Sequence, residues 1–248
     1  MKIKIKNHII SVISDFQIVF QRLKHFPRIE LDTNNVLIIN KDLIEIKVDD
    51  YYLKIEKKIS TTDIYPILNN IISYCINDED NLYIHSVVVS KNNKGYLLLG
   101  DFGSGKSTLA SMLVKEGYHI NSTDQTWLYK DKMVLGSCFN KCNSEVSFID
   151  EKDYLDIVKI DKILILKPSF DDSVVVEKVD NRDYYIKNIF KYCNWHYDMP
   201  LMTEYIKLID TGKSILKFLN NLDIDLYTVR GNGYKIMEAL NDREESSK

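Results

Sequence analysis

GYLLLGDFGSGKSTLASMLVKEG, running from Gly95 to Gly117, is the stretch on which the fold turns. It has three parts: an apolar run, a glycine-spaced loop and a segment with helical spacing. Gly100-Asp101-Phe102-Gly103-Ser104-Gly105-Lys106-Ser107 satisfies the pattern G-x-x-x-x-G-K-[ST] without a mismatch, and Thr108 follows. Leu109, Met112 and Leu113 share one helical face, and the pattern stops at Gly117, a residue suited to the left-handed position past a helix end. The predicted order is strand, loop, helix. Gly100, Gly103 and Gly105 let successive backbone N–H groups turn inward around an anion, and the helix beginning near Lys106 adds its positive end. Lys106 then supplies a point charge for the β- and γ-phosphates of a nucleoside triphosphate. The Ser107 hydroxyl supplies one oxygen ligand for Mg2+.

The flanks add three candidates. Upstream, LYIHSVVVS and GYLLLG read as two buried strands joined by the turn-forming KNNKG, which puts His85 on the strand before the loop strand. A histidine there can exchange a proton near neutral pH, and it can equally be a satisfied core residue. Downstream, INSTDQTWL reads as a strand carrying Asp124, whose carboxylate could hold Mg2+ or take a proton from an attacking hydroxyl; the alternative is a turn aspartate beside Ser122 and Thr123. Arg230, at the end of DIDLYTVRG, is either a phosphate-facing cation or a surface charge. The apolar run Ile163-Leu164-Ile165-Leu166 ends in Lys167-Pro168 and not in an acid, against a motor-type ATPase. No guanine-reading N-K-x-D occurs.

Farther out, MKIKIK, NVLIIN, LIEIKV and YYLKIEK alternate with period two, predicting a small antiparallel sheet over residues 1 to about 58. Ile64, Ile67, Leu68, Ile71, Ile72 and Cys75 predict one helix, with Thr61, Thr62 and Asp63 as caps. Strands are expected at YHINSTDQTWLY, DKMVLGS, IDKILILKP and DIDLYTVRG, and helices near 183–194, 200–221 and 233–242. The domain reading is a β-rich region over 1–78 with one helix, a nucleotide-binding domain over 79–242, and a frayed tail over 243–248. Tyr184, Tyr185, Phe190, Tyr192, Trp195 and Tyr197 could dock a peptide, although core packing is the plainer reading.

Bulk properties narrow the class. The 248 residues are 45% hydrophobic and 28% charged, with net charge −3, so no basic excess draws nucleic acid. No apolar run approaches the ~20 residues of a membrane span, and the start lacks a secretory signal, so a cytosolic protein away from membranes is expected. Cys75, Cys138, Cys142 and Cys193 have no disulfide or zinc spacing and read as free thiols.

The span from Tyr83 to Leu128, with its His-bearing strand, hairpin, glycine loop, Lys-Glu-Gly-Tyr helix end and Asp124 strand, resembles the core of the HPr kinase/phosphorylase family. That family shares its nucleotide core with phosphoenolpyruvate carboxykinase. IDLYTVRGNGYKIMEAL, residues 224–240, resembles its late strand and final helix. The resemblance implies an α/β fold with a mixed sheet and flanking helices, ATP and Mg2+ as cofactors, Asp124 as base and metal-associated carboxylate, and His85 as the family histidine. Where HPr kinase has two consecutive aspartates, this chain has Thr123-Asp124, which removes the expectation of the reverse, phosphorolytic reaction. Glu145 and Asp150 are candidates for a later metal-binding acid, and Asp171-Asp172 reads as loop acids. Relatives with one aspartate include stand-alone kinases acting on a serine of a precursor peptide. The expected activity is therefore γ-phosphoryl transfer to a hydroxyl of a peptide or small protein, in a chain that could form a homo-oligomer. A non-catalytic ATP-binding regulator and a small-molecule kinase are the alternatives.

Overall fold

Alternating residues of Tyr96-Leu97-Leu98-Leu99 are buried in two different cores, which requires a layer of structure on each face of the strand they form. In the computed structural model, which describes residues 1–136, 157–169, 173–193, 211–231 and 236, that strand lies within a nine-stranded mixed sheet. The chain divides into two compact units, Met1–Asn77 with Asn194–Ser214, and Asp78–Cys193 with Ile215–Lys248.

The first unit holds a five-stranded sheet in sequence order: β1 (Lys2–Ile5), β2 (His8–Ser14), β3 (Val36–Ile39), β4 (Leu43–Val48) and β5 (Tyr51–Glu56). The predicted strands are present, but the sheet is not wholly antiparallel. β2 and β3 run parallel, Ser11 opposite Val36. A parallel pair needs a crossover, and residues 15–35 provide it with a helix the period-two reading missed, α1 (Gln17–Leu23), which buries Val19 and Leu23. The expected single helix is α2 (Thr61–Ile76). Its N-cap is Ser60 and not one of the three residues after it. Asp63 accepts hydrogen bonds from the Ser60 backbone N–H and hydroxyl, both at 2.8 Å, as in a capping box.

The second unit opens with β6 (Asn81–His85) and β7 (Val87–Lys91), where one strand is predicted. Ser86 breaks the run because its two halves have different partners: β6 pairs with β10 (Gln125–Tyr129), and β7 lies between β8 (Lys94–Leu99) and β9 (His119–Ser122). His85 is thus not on the hairpin partner of the loop strand. The hairpin turn is as expected: Asn92 and Asn93 have φ of 53° and 63°, the left-handed pair of a type I′ turn. YHINSTDQTWLY is likewise two strands, with Thr123-Asp124 in the bend between them. β11 (Lys132–Gly136) follows, then the long β12 (Val158–Pro168), β13 (Val175–Lys178), which was not foreseen, and β14 (Asp225–Gly231). β12 runs parallel to both β8 and β14.

Helix α3 (Lys106–Lys115) covers one face through Leu109, Ala110 and Leu113, packing with Tyr96, Leu98, Leu164 and Val229. Helices α4 (Arg182–Cys193) and α5 (Gly212–Asn221) cover the other through Tyr185, Ile189, Ile215 and Phe218, against Leu97, Leu99, Ile163 and Ile165. Tyr185 and Tyr192 are core residues of this layer, while Tyr184 is exposed. The Arg182 guanidinium donates to the carbonyls of Leu219, Asn220 and Leu222 at the end of α5. Cys75 and Cys193 are free and buried, and burial pushes the Cys75 thiol up to about 12. Among the described residues no helix is long and apolar enough to cross a membrane. Cys138, Cys142, Glu145, Asp150, Asp171, Asp172, Trp195, Tyr197 and the 243–248 tail lie outside the described residues, as do residues 200–210 of the expected 200–221 helix, whose later half is α5, and all but residue 236 of the expected 233–242 helix.

Candidate functional site

Strand β8 ends at Leu99, the loop follows, and α3 begins at Lys106, so the strand, loop and helix order is present. The glycines have two separate reasons. Gly103 and Gly105 have φ of 77° and 86° with open space where a Cβ would stand, so they are needed for backbone conformation. Gly100 is needed for room, since a Cβ there would meet Ser104 Oγ at 2.3 Å and the Leu166 carbonyl oxygen at 3.1 Å. No side chain caps α3, and its first turn carries no acid. The positive end of α3 is thus left without a side-chain acceptor from its cap or a carboxylate in its first turn, an arrangement that suits an anion. Lys106 is buried, and its ammonium donates to the carbonyl oxygens of Gly100 at 2.7 Å and Asp101 at 3.2 Å. Ser104 Oγ is buried without a hydrogen-bond partner, whereas Phe102, Ser107 and Thr108 are exposed.

The neighbouring candidates gather by topology. β7 is antiparallel to both β8 and β9, so β8 and β9 run the same way and end at the same edge of the sheet. Val87 faces Leu98 and Val88 faces Ser122, which sets Asp124 level with the start of the loop, two strand spacings or roughly 10 Å away. On the other side β12 and β14 also end here, with Lys167 beside Arg230. This is the carboxyl edge of parallel strands, where open α/β sheets bind their ligands.

His85 and Asp124 meet directly. His85 Nδ1 lies 3.3 Å from Asp124 Oδ1, and the carboxylate is only 2% exposed. The Ser86 N–H donates to the Asp124 carbonyl at 2.9 Å. Beneath them Ser86 Oγ donates to Thr126 Oγ1, which donates to Ser122 Oγ, which donates to the Gln125 carbonyl, at 2.7, 3.0 and 2.8 Å. All three hydroxyls are buried. This chain ties together the two strand breaks, at Ser86 and at Thr123-Asp124, that period-two patterning ran through.

Sequence reasoning also missed Lys191 on α4, whose ammonium reaches the Asp101 carboxylate at 2.5 Å. Burial and that same carboxylate push the Tyr192 phenol up to about 12. Nothing local marks Lys191, since 90 residues separate it from Asp101.

No group of three or more His, Cys, Asp or Glu that could hold a metal occurs among the described residues. The residues present fit Mg2+ in another way, because that ion commonly takes one or two protein oxygens and completes its shell with phosphate and water. Ser107 and Asp124 carry oxygens of that kind, as do Asp101 and Thr108 on the same loop and helix start.

No family model matches the chain, and no curated protein matches it in sequence. Among solved structures, the HPr(Ser) kinase/phosphatase from Coxiella burnetii is similar over 66% of this chain and 94% of that one, at 10% identity and a TM-score of 0.31. Overlap that loose leaves function to rest on the chain's own residues.

Proposed function

We propose that this chain is an ATP-dependent kinase that transfers the γ-phosphoryl group to a hydroxyl, with a serine of a peptide or small protein as acceptor. The observation that supports it is the placement of a buried Asp124–His85 pair at the sheet edge where an uncapped, glycine-built helix start opens. The loop N–H groups from Phe102 to Ser107 cradle the phosphates, and Lys106 leaves the Gly100 and Asp101 carbonyls to neutralise the β- and γ-oxygens. Mg2+, held by Ser107 and Asp124, would supply further charge neutralisation between the phosphates. Asp124 accepts the acceptor's hydroxyl proton as the new O–P bond forms, the β–γ bridging bond breaks and ADP departs with the bridging oxygen. His85 fixes the carboxylate, and Arg230 at the end of β14 offers a second cation toward the phosphates.

The test pairs two variants with γ-labelled ATP and candidate acceptors: serine peptides, free amino acids and sugars. Lys106→Ala and Asp124→Asn should each abolish label transfer, and only Lys106→Ala should also abolish ATP association in calorimetry. Near-normal transfer by Asp124→Asn removes the base from this scheme. A wild-type protein that binds ATP but labels no acceptor is a nucleotide-dependent regulator, and label on a metabolite replaces the peptide acceptor.

A further inference from the structure

At the opposite end of β8 from the glycine loop lies a cavity of about 670 Å³, formed by the β7–β8 turn, β9, β11 and the start of β12. Among the described residues the charged groups lining it are Lys91, Lys132 and Lys159, with His119 beside them and no aspartate or glutamate. Lys132 and Lys159 are direct cross-strand partners in the β11–β12 ladder. Like charges facing each other across an antiparallel pair repel, so the arrangement costs stability unless something negative stands between them. Part of the charge is already met: Lys159 has Asp131 at 3.6 Å on its outer side, and Lys91 donates to the Glu116 carbonyl at 2.8 Å.

A second feature points into the same space. The β7–β9 ladder shifts register between Val88, opposite Ser122, and Val89, opposite Ile120, so Asn121 is an inserted bulge residue with no partner on β7. Bulges re-aim side chains, and Asn121 lines the cavity while only 2% exposed, its Oδ1 without a hydrogen-bond partner. A buried amide oxygen left unpaired costs about 1–3 kcal/mol, which a ligand can recover only by donating an O–H or N–H to it.

We infer that this cavity is a second binding site, separate from the glycine loop, for a small multivalent anion that bears phosphate or carboxylate groups and also a hydroxyl, its anionic groups gripped by Lys132 and Lys159 and its hydroxyl donating to Asn121 Oδ1. The inference does not depend on the kinase reading, since no residue of the loop or of the Asp124–His85 pair takes part. A multivalent ligand suits it because the ammonium groups approach from different strands, and each charge-assisted contact is among the stronger hydrogen bonds available.

Calorimetric titration of the intact protein with inorganic pyrophosphate and with citrate tests it, comparing wild type, Lys106→Ala and the exposed-site variant Lys132→Gln. At least one probe should bind wild type with Kd of about 1 mM or tighter, corresponding to roughly −4 kcal/mol. That binding should persist in Lys106→Ala and weaken about tenfold in Lys132→Gln, the loss expected for one charged contact. Lys132→Gln should also melt no lower than wild type in low salt without ligand, because it relieves the Lys132–Lys159 repulsion. Binding lost in Lys106→Ala and retained in Lys132→Gln assigns the anion to the glycine loop and overturns the proposal, as does the absence of binding by either probe.

Discussion

Gly100 is the residue at which packing and function are least separable. A methyl group there would meet Ser104 Oγ at 2.3 Å, Ser104 Cβ at 2.9 Å and the Leu166 carbonyl oxygen at 3.1 Å, so the loop must shift to admit it. Gly100→Ala should therefore lower stability by about 1–3 kcal/mol in urea denaturation, the usual cost of overpacking, and should weaken ATP association more than that loss explains. Unchanged ATP affinity would show that the loop tolerates displacement and that its observed shape is not the binding shape. Gly103→Ala is the informative contrast: nothing lies within 4 Å of the added carbon, and only the positive φ resists it. Motif spacing identifies Gly100 but leaves Gly103 at a variable position, and it gives the reason for neither.

The elements around the site are held by contacts that join distant parts of the chain. Helix α5 ends with the carbonyls of Leu219, Asn220 and Leu222 gathered by one nitrogen, Nη2, of the Arg182 guanidinium, a cation at the negative end of the helix. Arg182→Ala should cost about 1–2 kcal/mol. Arg182→Lys should recover only part of it, because an ammonium can replace the single Nη2 donor but not the guanidinium plane that stacks over the Tyr185 ring at 4.5 Å; full recovery in denaturation would show that charge and hydrogen bonding alone matter. The same scale explains the misread strands. LYIHSVVVS is a continuous run in which nothing local marks Ser86 as a break, whereas in YHINSTDQTWLY the turn-type residues Ser122, Thr123 and Asp124 offered the bend that the strand reading ran through. The breaks exist because each half hydrogen-bonds a different neighbour, and the Ser86–Thr126–Ser122 hydroxyl chain satisfies the groups exposed where they part.

For the whole molecule, a chain built of two compact units need not unfold in one step. The loop, Asp124 and His85 all belong to the unit Asp78–Cys193 with Ile215–Lys248. Scanning calorimetry should show ATP with Mg2+ raising the transition of that unit, by about 2.7 kcal/mol of stabilisation at a hundredfold excess over Kd, and a chelator should reverse most of the gain. A shift confined to the other transition would move the nucleotide site, and a shift insensitive to the chelator would remove the metal from it.

By itself the sequence determined the strand, loop and helix around Gly100–Ser107, the hairpin at Asn92-Asn93 and helix α2, because glycine spacing, turn residues and helical periodicity act within a few residues of one another. The tertiary structure alone decided that β2 and β3 run parallel, that His85 touches Asp124, and that Lys132 faces Lys159. Those depend on which strand lies beside which, a choice set by the burial of both sheet faces, and period-two patterning is the same whichever neighbour a strand acquires.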